Sequence, residues 1–136
     1  MQNKEFKSGC GIDFGTTNSI AAISTIGEES NRSRPLTEDG YPHASVVWLR
    51  LNEPAIVGRE AKDNINGFSD VAGNYFISSI KRQIGREKVF HIFGQTKTAV
   101  QIAGEIFKFL RADAENNHQQ IIKEGVVTIP INFDGK

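Results

Sequence analysis

A glycine-rich run of nine residues, GIDFGTTNS at positions 11–19, constrains the fold more than any other part of the sequence. Every second residue from Cys10 to Phe14 is apolar, which is the pattern of a strand with one buried face. Gly15 then allows the backbone to turn tightly, and the apolar residues at 19–26 predict a second strand. Because two strands so close in sequence pair with each other, we expect an antiparallel hairpin that turns at Gly15.

The predicted turn has the chemistry of a phosphate-binding surface. The backbone amides of Thr16, Thr17 and Asn18, together with the two threonine hydroxyls, form a concave set of hydrogen-bond donors. Asp13 would repel a phosphate at this distance unless a cation lay between them. Magnesium is commonly held by one or two carboxylates plus substrate phosphates, so Asp13 points to a metal-nucleotide complex. From spacing alone, a glycine-threonine turn without a ligand remains the alternative.

The clearest helix begins at Thr98, whose spacing to Gln101 is typical of a capping box. Apolar side chains recur on one face of this helix and charged side chains on the other, so we expect it to pack on a sheet. A turn-like segment is predicted from Pro35 to Pro42, with Asp39-Gly40 at its centre, and a charged loop at 27–34. The other predicted elements are strands at 44–51, 55–57, 89–93 and 126–129 and short helices at 61–65 and 75–84. This order indicates an α/β fold.

Composition narrows the possible partners and the cellular location. The 136 residues are 38% hydrophobic and carry 16 basic and 16 acidic residues, so neither nucleic acid nor a membrane is an expected partner. The chain has a single cysteine, Cys10, and no apolar run long enough to span a bilayer. The polar first eight residues lack the apolar core of a signal peptide. We therefore expect a cytoplasmic protein.

Five segments together resemble one family. The 11–19 run is similar to the first phosphate motif of the superfamily that contains actin, sugar kinases and heat-shock chaperones, and its TTNS ending resembles the DnaK-type, seventy-kilodalton chaperones. Four further segments resemble motifs of those chaperones, in family order: Pro42 with SVV at 45–47, VG at 57–58 with AK at 61–62, KRQIGR at 81–86, and VVTIP at 126–130.

The resemblance implies a ribonuclease H-like, actin-like ATPase fold, of which this chain would be a truncated lobe I with a mixed sheet and a β-rich insertion. It implies a core subdomain at roughly 9–37 and 98–136 and an inserted outer subdomain at 38–97. Only residues 87–97 separate the KRQIGR segment from the long helix, which is shorter than is usual in the chaperones. We therefore expect a trimmed outer subdomain.

The same resemblance assigns roles to individual residues. Asp13 would act in catalysis and face magnesium through water, while Lys81 would orient the attacking water and the γ-phosphate of ATP. Pro130 would be the hinge that reports whether ATP or ADP is bound. Without the resemblance, Lys81 is more typical of a solvated lysine at a helix end. The phosphate-binding residues would be Gly15, Thr16, Thr17 and Asn18.

The resemblance also implies partners and leaves two alternatives. A whole protein of this kind would use ATP, ADP and Mg²⁺ and would engage unfolded peptides, a J-domain co-chaperone and a nucleotide exchange factor. The chain has no second Asp-Gly-Gly phosphate loop, so we expect an N-terminal fragment that is inactive alone. INF at 131–133 stands where the family has AYF, a departure that weakens the expectation of peptide binding. The alternatives are a small-molecule kinase of the same superfamily and an inactive chaperone-like regulator.

Overall fold

The structure is a computed structural model that describes residues 7–26, 31–120 and 125–128. Strands and helices are mixed along the chain, as the sequence predicted. In chain order the elements are β1 (Lys7–Phe14), β2 (Asn18–Ile26), β3 (Asn31–Leu36), β4 (His43–Ala44), β5 (Val46–Arg50), β6 (Glu53–Val57), α1 (Arg59–Phe68), β7 (Asn74–Ser78), a 3₁₀ helix (Ile80–Gln83), β8 (Val89–Ile92), β9 (Gln95–Thr98), α2 (Ala99–Asn117) and β10 (Gly125–Thr128).

The first sheet is mixed and is built around the predicted hairpin. Its strand order is β10-β1-β2-β3, and β4 pairs with the start of β2. Strands β1 and β2 are antiparallel, with Phe14 opposite Ser19 next to the turn. Strand β10 runs parallel to β1, and the pairing ends with Asp13 opposite Thr128. The carboxyl ends of β1 and β10 therefore meet at one edge of the sheet, beside the hairpin turn.

The second sheet is antiparallel and has the strand order β6-β5-β7. Helices pack against both faces of its central strand, β5. Val47 and Leu49 of β5 point into the main core that α2 shares. Val46 and Trp48 point the other way, into a smaller cluster that includes Ala61 of α1. Residues 46–49 of β5 are buried on both faces of the strand, which explains why all four are apolar. Strands β8 and β9 form a separate two-stranded hairpin.

Helix α2 confirms the prediction of a long amphipathic helix. Thr98 Oγ1 accepts a hydrogen bond from the Gln101 amide at 3.2 Å, and Gln101 Oε1 accepts one from the Thr98 amide at 2.9 Å. This capping box satisfies two backbone donors that would otherwise lack partners at the helix start. The helix packs on β2 of the first sheet and on β5 and β6 of the second. Its buried residues are Ala99, Ile102, Ala103, Ile106, Leu110 and Ala114.

The predicted helix at 75–84 is wrong. Residues 74–78 form β7, which pairs antiparallel with β5, and only Ile80–Gln83 is helical, as a 3₁₀ turn. The apolar residues there fit a helical period, but neighbouring side chains go to opposite faces of a strand. Ile77 enters the main core, while Phe76 stacks on Trp48 in the smaller cluster. Pairing with a buried strand outweighed the local pattern.

The prediction of a charged loop at 27–34 is wrong from residue 31 onward, because Asn31–Leu36 forms β3. Strand β3 pairs with Ala21–Ile26 of β2 and buries Leu36 almost completely. Polar and charged residues are common on edge strands, which explains why the sequence resembled a loop. The predicted turn-like segment at 35–42 is wrong for Pro35 and Leu36, which belong to β3. Its centre at Asp39-Gly40 is confirmed, since both residues have positive φ between the bridged residues Glu38 and Tyr41. Pro130 lies outside the described residues, and the division into core and outer subdomains remains a prediction.

Candidate functional site

Asp13 lies on the exposed face of β1, next to its carboxyl end. The apolar residues of this strand point into the core, where Cys10, Ile12 and Phe14 are buried. Since side chains alternate across a strand, Asp13 must face the other side, and it is exposed. Its carboxylate makes no hydrogen bond or ion pair with any residue that the structure describes. An exposed, unpaired carboxylate at the edge of a sheet is available to a ligand.

The turn that follows requires glycine at its first position. A Cβ atom added to Gly15 would collide with the backbone carbonyl oxygen of Asn18, so no other residue fits this close approach. Thr17 and Asn18 are exposed, and Thr16 is half-buried. The side chains of these three residues make no hydrogen bonds within the described part of the chain. Their polar groups are therefore free to bind something else.

Ser45, which lies between β4 of the first sheet and β5 of the second, contacts the turn. Its hydroxyl donates to the Gly15 carbonyl oxygen at 2.9 Å. Its amide donates to the Thr17 carbonyl oxygen at 2.8 Å. Its Oγ also lies 2.7 Å from Ser19 Oγ, and both serines are only 1% exposed. In the sequence, Ser45 stands out only as part of the SVV motif, because nothing local indicates a contact across 30 residues.

His43 connects this region to α2. It pairs with Ser19 across β4 and β2, is 3% exposed, and packs edge-on against Phe109 with ring centroids 5.0 Å apart. His43 Nε2 lies 3.2 Å from Asp113 Oδ2, although the angle there does not meet that of a hydrogen bond. Asp113 Oδ2 also lies 3.2 Å from His118 Nε2. Among the described residues, no group of three or more His, Cys, Asp or Glu side chains has the arrangement of a metal site.

Lys81 lies on a different element from Asp13. It is in the 3₁₀ helix, directly after Ile80, which is fully buried against the core that contains α2. Ser79, which precedes them, has a left-handed backbone with φ of 57°. Lys81 is half-buried, and its ammonium makes no ion pair with the residues described. No hydrogen bond or ion pair joins Lys81 to the turn. The residues next to each of them, Ile80 and Phe14, are both part of the main core.

A cavity of about 390 Å³ opens beside the turn. Lys62 of α1 lines it and makes no ion pair with the described residues, whereas Arg59 is paired with Glu38 and Asp39. In the sequence, Lys62 stands out only as part of a motif, and nothing distinguishes Tyr41. Only the folded structure, which places both residues around the same cavity as Asn18, identifies them as candidate site residues. The lining residues are Asn18, Tyr41, Pro42, Ala44, Arg59, Lys62 and Asp63.

A larger cavity of about 480 Å³ lies between the β5–β6 turn, the β8–β9 hairpin and α2. It contains none of the predicted site residues, and its lining carries both acidic and basic side chains, among them Glu53, Lys97 and Lys108. We therefore place the candidate site at the hairpin turn. No helix in the described ranges has the length and apolar character needed to cross a membrane.

The arrangement at the turn fits a magnesium-nucleotide complex chemically. Magnesium retains several waters and needs only one or two protein carboxylates when phosphates supply other ligands. Asp13 provides one exposed carboxylate, and the turn beside it provides the free polar groups of Thr16, Thr17 and Asn18. The residues present are consistent with a phosphate-bound ion.

The mixed sheet, with a glycine turn between its first two strands and a long helix packed on it, is compatible with a lobe of an actin-like ATPase. No protein-family model matches the chain. Among 130 curated proteins that match, the chaperone protein DnaK of Metamycoplasma hominis is 29% identical over 124 residues. That match covers 91% of this chain and 20% of the relative, so the chain spans about a fifth of the relative's length. The resemblance to DnaK-type chaperones is confirmed.

Proposed function

We propose that this chain is the first part of the nucleotide-binding domain of a DnaK-type chaperone that binds and hydrolyses ATP. The observation that carries the proposal is the match to a DnaK chaperone along 91% of the chain. The exposed Asp13 and the unpaired polar groups of the adjacent turn support it, because they occupy the position where a phosphate motif is expected. The match favours a chaperone over a small-molecule kinase of the same superfamily.

In the proposed site, the turn residues Gly15 to Asn18 bind the phosphates through backbone amides and hydroxyl groups. Asp13 would hold a magnesium ion through water, and that ion would supply the positive charge between the carboxylate and the phosphates. Lys81 would orient the attacking water and offset charge on the γ-phosphate oxygens. Phosphoryl transfer depends mainly on such positioning and charge, and these groups would contribute both.

The remaining properties of the whole protein are also proposals. They include the binding of unfolded peptides, a J-domain co-chaperone and a nucleotide exchange factor, and a cytoplasmic location. Pro130 is proposed as the hinge that responds to the bound nucleotide. A regulator without turnover would have the same fold, and measuring hydrolysis separates it from an active chaperone.

The test is calorimetric titration of the full-length gene product with ADP and ATP, with and without magnesium. Asp13→Asn is nearly isosteric but cannot balance the charge of the metal. It should therefore remove most of the gain in affinity that magnesium provides, and it should slow hydrolysis strongly. Asp70→Asn is the matched control, because Asp70 is another exposed carboxylate without an ion pair among the described residues, and it lies on the turn between α1 and β7.

The control should bind nucleotide and hydrolyse ATP like the wild type. If Asp13→Asn shows the same magnesium-linked gain as the wild type, Asp13 does not face the metal. If the wild type binds neither nucleotide, the proposed function is wrong.

A further inference from the structure

Ser45 is placed to control the shape of the hairpin turn. Its side chain and its own amide contact two carbonyl groups of that turn, those of Gly15 and Thr17. Ser45 is 1% exposed and lies between two buried strands, so its position is fixed by packing on both sides. A rigid residue that contacts the turn twice can hold the turn in one conformation.

The directions of these hydrogen bonds follow from donor and acceptor chemistry. A carbonyl oxygen only accepts, so the Ser45 hydroxyl hydrogen is used in the bond to Gly15. The 2.7 Å contact with Ser19 must then be a bond in which Ser19 donates and Ser45 accepts. The result is a chain of bonds from Ser19 through Ser45 to Gly15, in which each bond polarises the next.

A hydrogen bond that fixes the direction of a carbonyl group also fixes the direction of the next amide, because both belong to one planar peptide group. No peptide bond among the described residues is cis, and in a trans peptide the C=O and the next N–H point in opposite directions. Since the Gly15 carbonyl points at Ser45, the Thr16 amide points away from it. By the same reasoning, the bond to the Thr17 carbonyl turns the Asn18 amide away from Ser45.

We infer that Ser45 is a positioning residue for phosphate binding, because it holds two peptide groups of the turn so that the Thr16 and Asn18 amides face the bound phosphate. This inference rests on the proposed nucleotide function. Ser45 touches no phosphate itself. It lies between β4 of the first sheet and β5 of the second, so a shift between the two sheets would alter the donors offered to the nucleotide.

The test compares Ser45→Ala with Ser19→Ala in the full-length gene product, by calorimetric titration with magnesium-ADP. Both variants remove one buried hydroxyl from the same bonded chain, but only Ser45→Ala leaves the Gly15 carbonyl without its donor. Ser45→Ala should weaken magnesium-ADP binding about tenfold, while Ser19→Ala should weaken it by less than about threefold. Ser45→Thr keeps the hydroxyl and should restore most of the affinity.

Amide hydrogen exchange without nucleotide gives a second measurement. The amide of residue 45, which donates to the Thr17 carbonyl, should exchange faster in Ser45→Ala than in Ser19→Ala, because the turn is less restrained. If Ser45→Ala does not fold, Ser45→Cys replaces it and should weaken binding in the same direction, since the thiol fills the space but donates poorly.

Equal losses of affinity in Ser45→Ala and Ser19→Ala would overturn the positioning role and leave the nucleotide function intact. A wild type that does not bind magnesium-ADP would overturn both. A large loss in Ser45→Ala alone, with recovery in Ser45→Thr, supports the role of Ser45.

Discussion

The aromatic rings of Phe14 and Phe107 lie 5.2 Å apart between centroids, with their planes at 48°. This contact joins the end of β1 to the middle of α2. Phe14 is the next residue after Asp13 and directly precedes the glycine of the turn. The candidate site therefore lies next to a tilted aromatic pair of the main core. Because Phe14 packs in that core, core packing helps to fix the position of the turn.

Truncation of Phe14 to alanine should destabilise the protein by about 3–5 kcal/mol, since it removes a side chain that is 1% exposed and leaves a cavity. Phe93→Ala removes the same side chain from the turn between β8 and β9, where Phe93 is 37% exposed. That control should lose less than half as much stability. Urea unfolding followed by the fluorescence of Trp48 measures both, and equal losses would show that Phe14 does not anchor the core.

Replacement of Lys81 by alanine should remove ATP hydrolysis while nucleotide affinity stays within about tenfold, or roughly 1.4 kcal/mol. The turn would still bind the phosphates, but the charge that positions water would be lost. Arg82→Ala is the matched control, because Arg82 is an exposed cation on the same 3₁₀ helix. Single-turnover hydrolysis and a binding titration separate the two effects. Normal turnover in Lys81→Ala would show that its proposed role is wrong.

Two glycines should respond to alanine in opposite directions. Gly104 lies inside α2, and a Cβ atom there would meet nothing within 4 Å. Gly104→Ala should therefore stabilise the protein by about 0.5–1 kcal/mol. Gly58 has a φ of 97°, and its added Cβ would lie 3.3 Å from the ring of Phe109, so Gly58→Ala should destabilise it by at least about 1 kcal/mol. Thermal unfolding of both variants tests the pair, and the same sign for both would contradict the backbone geometry.

Loss of the Thr98 hydroxyl should cost about 1 kcal/mol of stability, because the cap of α2 would lose its bond to the Gln101 amide. Val100→Ala, two residues further along, serves as the control, since Val100 is exposed and makes no cap bond. Alanine is the better helix former, so the control should be neutral or slightly stabilising. Equal destabilisation by the two changes, measured by urea unfolding, would argue against the capping box.

Cys10 should react slowly with an alkylating reagent while the protein is folded. It is buried on β1, and burial raises the pKa of its thiol, so less of the reactive thiolate is present near neutral pH. Alkylation should be more than about tenfold faster in denaturant. Mass spectrometry over time measures this rate, and rapid modification of the folded protein would show that β1 is not packed as described.

The sequence by itself determined the elements whose signals are local. The alternation along β1 and the glycine after it predicted the hairpin, and the spacing from Thr98 to Gln101 predicted the start of α2. Asp39-Gly40 likewise predicted its own turn. In each of these, the residues that decide the backbone conformation are within a few positions of each other, so short-range sterics and hydrogen bonding are sufficient.

Only the tertiary structure decided the elements that depend on distant partners. Asn74–Ser78 forms a strand because it pairs with the buried strand β5. Asn31–Leu36 forms a strand because it pairs with β2. Ser45 reached the turn because the chain folds back over 30 residues, and no local pattern predicts that contact. Pairing and burial across such distances are set by the whole core, since their favourable energy appears only when separate segments have come together.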